Sequence, residues 1–401
     1  MQTLHRKNKS EGDRIDYGVI FSVMMLAIVG LLSIYVATTH DSNGGGSVLR
    51  TVGVQVLWYV IGAVAIAVIM QFDSEQLWKI APYAYAGGLL LLVLVLRFYS
   101  KSYAANTGAK SWFAIGSITF QPSEIMKPAF ILMLAMVVSR HNEKFATHTI
   151  PTDLLLIGKM MLTLLPVAVL LKLQNDFGTM IVFFAIVGGV MLVSGITWKI
   201  LVPLITLIVL AGGTAVLLVT QDWGREILTH IGFKQYQFNR IDAWLNPSGD
   251  TSSTSYQLWQ SMKAIGSGQM TGRGFDNSQV YVPVRESDMI FSVIGENFGF
   301  VGSCTVILLY FLLIYQMIQV TFDTKNEFYA YVSTGVIMMI VFHVFENIGM
   351  SIGLLPLTGI PLPFISQGGS SLLGNMMCIG FIMSMRYHYT SYMFGGEEED
   401  F

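Results

Sequence analysis

Charge is what this chain has least of. Only 12% of its 401 residues are Asp, Glu, Lys or Arg, against about a quarter in an ordinary soluble domain, which excludes a globule clothed in the usual solvated surface. Cysteine is nearly absent. Cys304 and Cys378 both lie inside apolar stretches, build neither a disulfide framework nor a metal spacing, and read as small packing residues. A net charge of -2 offers no basic field for nucleic acid. Also missing are the short alternating strands of an outer-membrane barrel, the Gly-Lys-Ser/Thr of a phosphate loop, any low-complexity linker, and a clear internal repeat of the sort many secondary transporters carry.

What the chain has in abundance is apolar length. It is 53% hydrophobic with a mean hydropathy of +0.59, and apolar runs close to the roughly 20 residues that cross a bilayer recur throughout. The expectation is an all-α, polytopic integral membrane protein with about ten spans, near residues 17 to 38, 53 to 72, 80 to 98, 123 to 139, 153 to 172, 177 to 195, 198 to 220, 289 to 319, 328 to 352 and 371 to 389. The eighth is long enough to begin outside the hydrocarbon or to break at Gly295 or Gly299. Lysines and arginines favour cytoplasmic loops; Arg6, Lys7, Lys9 and Arg14 precede the first span, and Lys79, Arg140, Lys144, Lys199, Lys325 and Arg386 fall on the same side. Both termini are therefore expected in the cytoplasm. The division that follows is a cytoplasmic segment 1–16, one membrane domain 17–389 containing a large extracytoplasmic loop 221–288 before the eighth span, and an acidic cytoplasmic tail 390–401. The first apolar segment is too long for a signal peptide and lacks a small-residue cleavage site, so it reads as a retained anchor.

In so apolar a chain, an ionisable residue near a span is costly and points to function. Four clusters gather on the outer side. In "GAKSWFAIGSITFQPSEIMKP", Ser123 and Glu124 suit a helix start and Lys127 lies one turn further in; a cap with an ion pair competes with an ammonium set to hold an anionic headgroup. Lys110 and Trp112 come from the preceding loop, where a Trp alone is an interfacial anchor. In "KLQNDFGTM", Asp176 suits a cap. The third cluster runs from "NRIDAWLNPSGD" through "YQLWQSMKAIGSGQMTGRG" to "ESDMIFSVIGENFGF". There Asp288 stands where the loop enters the bilayer, and Glu296 and Asn297 lie two turns deeper, as a polar path or as packing partners of His343, Glu346 and Asn347. The fourth, "GLLPLTGIPLPFISQGGSS", is rich in Pro and Gly and reads as a partly re-entrant loop, tolerated at membrane depth only where protein or water surrounds it.

These blocks, in this order and spacing, resemble the SEDS family (shape, elongation, division and sporulation proteins) over nearly the whole chain. "GLLPLTGIPLPFIS" with "VPVRESDMIFSVIGENFGF" is closer to the RodA branch of a Gram-positive bacterium than to the FtsW branch. The resemblance implies a peptidoglycan glycosyltransferase that polymerises lipid II, working on nascent glycan-linked undecaprenyl diphosphate, in the plasma membrane and beside a class B penicillin-binding protein. It places the family's essential acid at Asp288 and other family acids and bases at Glu124, Lys127 and Asp176. Departures are Asn175 for a usual proline, Gln367 for a common tyrosine, and Ser111 for a frequent arginine, leaving Lys110 as the nearby cation.

The implied reaction inverts the sugar linkage by direct displacement, which asks for one base and for positive charge on the departing diphosphate. Asp288 is the expected base. Lys110, Lys127, Arg240 and Arg273 are the expected grips on diphosphate or sugar, with Trp112, Gln121, Glu124, Asp176, Ser366 and Ser370 completing the substrate site. A divalent cation, magnesium or manganese, would assist the leaving group, though no ligand cluster demands one. A carboxylate at a helix start tends to a lowered pKa, and burial or Glu286 would raise it. The rival readings are a lipid-precursor flippase and a scaffold for the penicillin-binding protein without catalysis.

Overall fold

The computed structural model describes residues 15–40, 47–116, 118–230, 235–248, 254–324 and 326–395. The basic stretch carrying Arg6, Lys7, Lys9 and Arg14, the residue Lys325 and the end of the acidic tail lie outside the described residues. The order is α1 (Tyr17–Thr39), α2 (Val48–Ile69), α3 (Ser74–Phe98), a short α4 (Lys101–Thr107), the hairpin β1 (Phe113–Ile115) and β2 (Ile118–Phe120), then α5 (Pro122–Lys144), α6 (Ile150–Gln174), α7 (Phe177–Val193) and α8 (Trp198–Thr220). Three short helices follow, α9 (Asp222–His230), α10 (Gln235–Leu245) and α11 (Thr254–Ser267), then α12 (Ile290–Thr324), α13 (Glu327–Ser351) and α14 (Gly369–Gly395).

Each of the ten expected spans coincides with a helix. Eight are long and apolar enough to cross a membrane by length and composition; α7 is apolar but only 17 residues long, and α14 is the tenth. The sequence sets their ends. Asp16 accepts from the amides of Gly18 and Val19 to start α1; Asp73 and Gln76 make a reciprocal capping box on α3; the Asn326 side chain caps α13 through the amide of Tyr329. Asn175 ends α6 in the left-handed region, at φ 59°. That explains the missing proline, because a pyrrolidine ring holds φ near -65° and could not make this turn.

The spans are not equally enclosed. In α5, 78% of the span is buried inside the protein, against 6% in α8 and 11% in α2. α5 is therefore the hub, packed by α3, α13 and α14, while α8 shows most of its surface to lipid. Within α5, Pro128 has no amide hydrogen to return to the carbonyl of Glu124. α14 passes close there: a Cβ on Gly374 would stand 2.5 Å from that oxygen.

α12 breaks at Gly299, with φ 64° and ψ -158°. The glycine-rich turn 268–274 nests against this break. A Cβ on Gly272, itself at φ 83°, would meet the carbonyl oxygen of Asn297 at 2.1 Å. Gly272→Ala should therefore cost about 2–4 kcal/mol, from left-handed strain plus overpacking, and detergent melting should show it. Glu296 accepts the amides of Gln279 and Val280 at 2.7 and 3.0 Å, and Asn297 binds Asn277 and Ser278. The expected path or packing toward His343 is thus corrected: these two polar groups satisfy the backbone and side chains of the loop laid over α12. Helix α11 docks on α12 and α13, with Ser261 donating to the Ser351 carbonyl at 2.8 Å.

Candidate active site

The loop between α13 and α14 builds the site's floor. Leu362, Phe364 and Ile365 are buried, and side chains from two helices satisfy the loop backbone. Tyr59 of α2 donates to the Phe364 carbonyl, Tyr310 of α12 to that of Pro363, and Gln55 of α2 to that of Ser366. Irregular backbone at this depth is tolerated because protein encloses it, as the re-entrant reading requires.

The turn before α12 is sewn to this loop. Ser366 donates to the Ser287 carbonyl at 2.6 Å while accepting the Leu362 amide at 2.8 Å, and the Gln367 amide donates to the Glu286 carbonyl at 2.9 Å. Asn347 of α13 donates to the backbone carbonyls of both Asp288 and Ile360, each at 2.8 Å. Gly359, at φ 79°, lets the loop pass so close that a Cβ there would stand 3.2 Å from Asp288 Oδ2. Asp288 is half-buried at this seam. Desolvation dominates its chemistry, and with help from the Glu286 charge it raises the carboxyl to about 6, against smaller opposing effects of the Ser287 hydrogen bond and the Arg240 charge. Arg240 itself reaches the Thr358 carbonyl at 3.4 Å.

A second group forms at the start of α5. Gln121 donates to Asp176 Oδ2 at 2.8 Å, its amide donates to Ser370 Oγ at 3.3 Å, and Asp176 Oδ1 caps the Thr179 amide at 3.2 Å. Asp176 is therefore a cap that also ties α7 to α5.

A third group lies one turn deeper. The Lys127 ammonium pairs with Glu124 at 2.8 Å and donates to His343 Nε2 at 3.0 Å. His343 Nδ1 faces the Met339 carbonyl at 2.6 Å. A carbonyl only accepts and an ammonium only donates, so the ring is the neutral Nδ1-H tautomer. Lys127 and Glu124 are 2% and 3% exposed; of the two readings of this cluster, the ion pair is the one present, and in this conformation the lysine is sealed among protein groups. His343 and Asn347 sit four apart on one face of α13, so that single helix links the Lys127 pair to the Asp288 turn.

Other expected site residues lie apart. Lys110 is exposed beside the hairpin, its amide on the Gln174 carbonyl at 2.8 Å and its ammonium 5.3 Å from the Tyr99 ring centre. Trp112 packs against Tyr103. Arg273 is exposed and bound to Ser267 and Gln279 of its own loop. The residues least legible as site builders were His343, Asn347 and Gly359; the first two carried one signal, polar groups four apart on an apolar span. Among the described residues no three His, Cys, Asp or Glu converge to hold a metal ion.

A helical multi-pass membrane protein, with a half-buried aspartate where a loop and a span meet, is the class this architecture defines. The chain belongs to the FtsW/RodA/SpoVE family of cell cycle proteins, whose model matches residues 17–391. It is 31% identical over 378 residues to the peptidoglycan glycosyltransferase MrdB of Escherichia coli K12, covering 93% of this chain and 94% of that one. It is 30% identical over 381 residues to a probable peptidoglycan glycosyltransferase FtsW of Enterococcus hirae, covering 93% and 92%. Among solved structures, one described as structural coordination of polymerization and crosslinking by a peptidoglycan synthase complex superposes with a TM-score of 0.73 at 25% identity, over 94% of this chain and 98% of that one. The rod shape determining protein RodA of Thermus thermophilus shares the fold at a TM-score of 0.63 and 23% identity, over 93% and 97%.

Proposed function

We infer that the chain is a peptidoglycan glycosyltransferase that joins lipid II units into β-1,4 glycan strands at the outer face of the bacterial cytoplasmic membrane, in the service of elongation and cell shape. Relatives so named, matched over more than nine-tenths of their length, support the activity. The observation that carries the mechanism is Asp288, held at the seam of loop and span with its carboxyl near 6. The Lys and Arg bias of the short loops supports cytoplasmic termini and an external 221–288 region. A class B penicillin-binding protein is the partner this reading calls for, in keeping with the coordination of polymerization and crosslinking in the matched synthase complex.

In the step proposed, Asp288 takes the proton of the acceptor sugar's 4-hydroxyl as that oxygen bonds to the anomeric carbon of the growing glycan. The bond from that carbon to the undecaprenyl diphosphate breaks, and its electrons leave with the diphosphate. Such a leaving group is already a stable anion and needs no acid, only positive charge around it. Arg240 is the cation that Asp288 feels; Lys110 and Arg273, both exposed, are the further cations proposed for a lipid-linked phosphate. A magnesium or manganese ion, held through the phosphate oxygens and one or two carboxylates, would add positive charge to the same leaving group.

A base must be ionised to act, so kcat/KM should rise with pH along a limb centred near 6 and level off above it. The test of the activity itself is glycan chain formation from lipid II by the purified protein, with and without the transpeptidase. Leaflet exchange of lipid II without polymer would replace this reading with a flippase.

A further inference from the structure

Two neighbouring carbonyls of the turn ahead of α12 are each claimed by a side chain that also holds the loop between α13 and α14. Asn347 divides its amide hydrogens between the carbonyls of Asp288 and Ile360, at 2.8 Å each. Ser366 gives its hydroxyl proton to the Ser287 carbonyl at 2.6 Å and takes the Leu362 amide at 2.8 Å. The two bridges cross one seam a residue apart, so the Asp288 backbone is fixed from α13 and from the loop at once. Asn347 is 0% exposed and Ser366 6%. Ser366, expected in the substrate site, thus spends its hydroxyl on backbone.

Both segments joined here carry strain. Val284 closes the turn by accepting the amides of Ser287 and Met289 at 3.3 and 3.4 Å, and it does so at φ 56°, a region that β-branched residues rarely enter. Phe364, in the loop, sits at φ 62° with its carbonyl held by Tyr59. Left-handed backbone at residues other than glycine persists only where the surroundings over-determine it, and it gathers at functional sites. A turn that served only to enter a helix could place glycine at 284 and avoid the cost.

We propose that Asn347 and Ser366 are positioning residues for glycosyl transfer: as a two-point brace they hold the strained turn against the loop and keep the Asp288 carboxyl aimed, under Gly359. The proposal rests on the reading of Asp288 as the base. Both side chains bond to backbone and not to the carboxyl, so they act through its placement. Without the brace the turn relaxes toward ordinary backbone, the carboxyl leaves Gly359, and more water reaches it. Hydration favours the charged form. The base is then weaker as well as misaimed.

The charged groups around the carboxyl come from several elements. Glu286 shares its turn and Arg240 belongs to α10. Arg285 points to α1, its Nε donating to the Ala37 carbonyl at 3.1 Å. On α13, Glu346 lies beside Thr358 and His343 is bound to Lys127; residues 352–368 of the loop include no ionisable side chain. Removing the brace removes none of these charges, so a moved pH profile reports hydration of the carboxyl.

The test compares Asn347→Ala and Ser366→Ala with the parent in polymerisation of lipid II, transpeptidase present, from about pH 4.5 to about 8, beside a detergent melt. In each variant kcat should fall about a hundredfold, the cost of a base displaced by about 1 Å, with KM nearly unchanged. The acid limb of kcat/KM should move down by about one pH unit from the parent's. A pair that only stabilised the fold would lower the melting temperature and leave kcat and the limb in place. That result in a folded variant overturns the brace, while the parent's own limb near 6 keeps Asp288 as base. A parent without that limb overturns base and brace together. Should Asn347→Ala not fold, Ser366→Ala, the smaller change, decides; failure of both to fold makes the pair structural and overturns the proposal.

Discussion

Asp288→Asn should abolish polymerisation and leave the protein at least as stable as its parent near neutral pH. Positioned base catalysis typically contributes about 10² to 10⁴ in rate, and an amide of the same shape removes all of it. The stability half follows from the sign of the shift. Burial raises the folded-state carboxyl to about 6, above the range of an exposed aspartate, so the fold favours the protonated form. Stability is therefore lost as pH climbs from the unfolded value through about 6, and at neutral pH the parent carries that cost whereas asparagine does not. The backbone bond from Asn347 to residue 288 does not depend on the side chain and survives. Glycan length on gels and a melting curve, taken on the same preparation, separate the two effects. A variant that polymerises at the parent's rate would remove Asp288 from the chemistry, and one that fails to fold would make the residue structural.

The spans were legible because bilayer thickness sets a length that apolar runs reveal directly, and the break in α12 because only glycine takes φ near 64° without strain. The site was legible only in part. Asp288 stood out as a carboxylate at the mouth of a span, but what raises its pKa is burial beneath a loop some 70 residues later, where Gly359 and Ile360 close over it. Glu296 looked like a functional charge by the same rule of cost, yet two loop amides account for its Oε1. Sequence position states that a polar group is buried; it does not state whether backbone, substrate or another side chain receives it. Lys127 shows the same limit, since the imidazole it meets is 216 residues away.

Lys127→Met should be poorly folded, because it leaves Glu124 as an uncompensated buried carboxylate; breaking a buried pair from one side costs about 3–5 kcal/mol. Pairing it with Glu124→Gln removes both charges and should restore the melting temperature, since replacing a whole buried pair is often neutral or stabilising. The informative quantity is the activity of that restored double variant. If the pair existed to hold α5 against α13, activity would return along with the fold. The surroundings argue otherwise. Beside the pair, Ser123 Oγ and both amide atoms of Asn375 are buried without partners, and Asn375 follows the glycine that rests on the Glu124 carbonyl. A cluster built for stability alone would have satisfied these groups or dispensed with them; charges kept inside a membrane at such cost mark function. The double variant is therefore expected to fold, to melt like its parent and to form little glycan, which would mean that the sealed ammonium meets the substrate's phosphate in a conformation more open than this one. Full polymerisation by the double variant would instead make Lys127 a strut between α5 and His343.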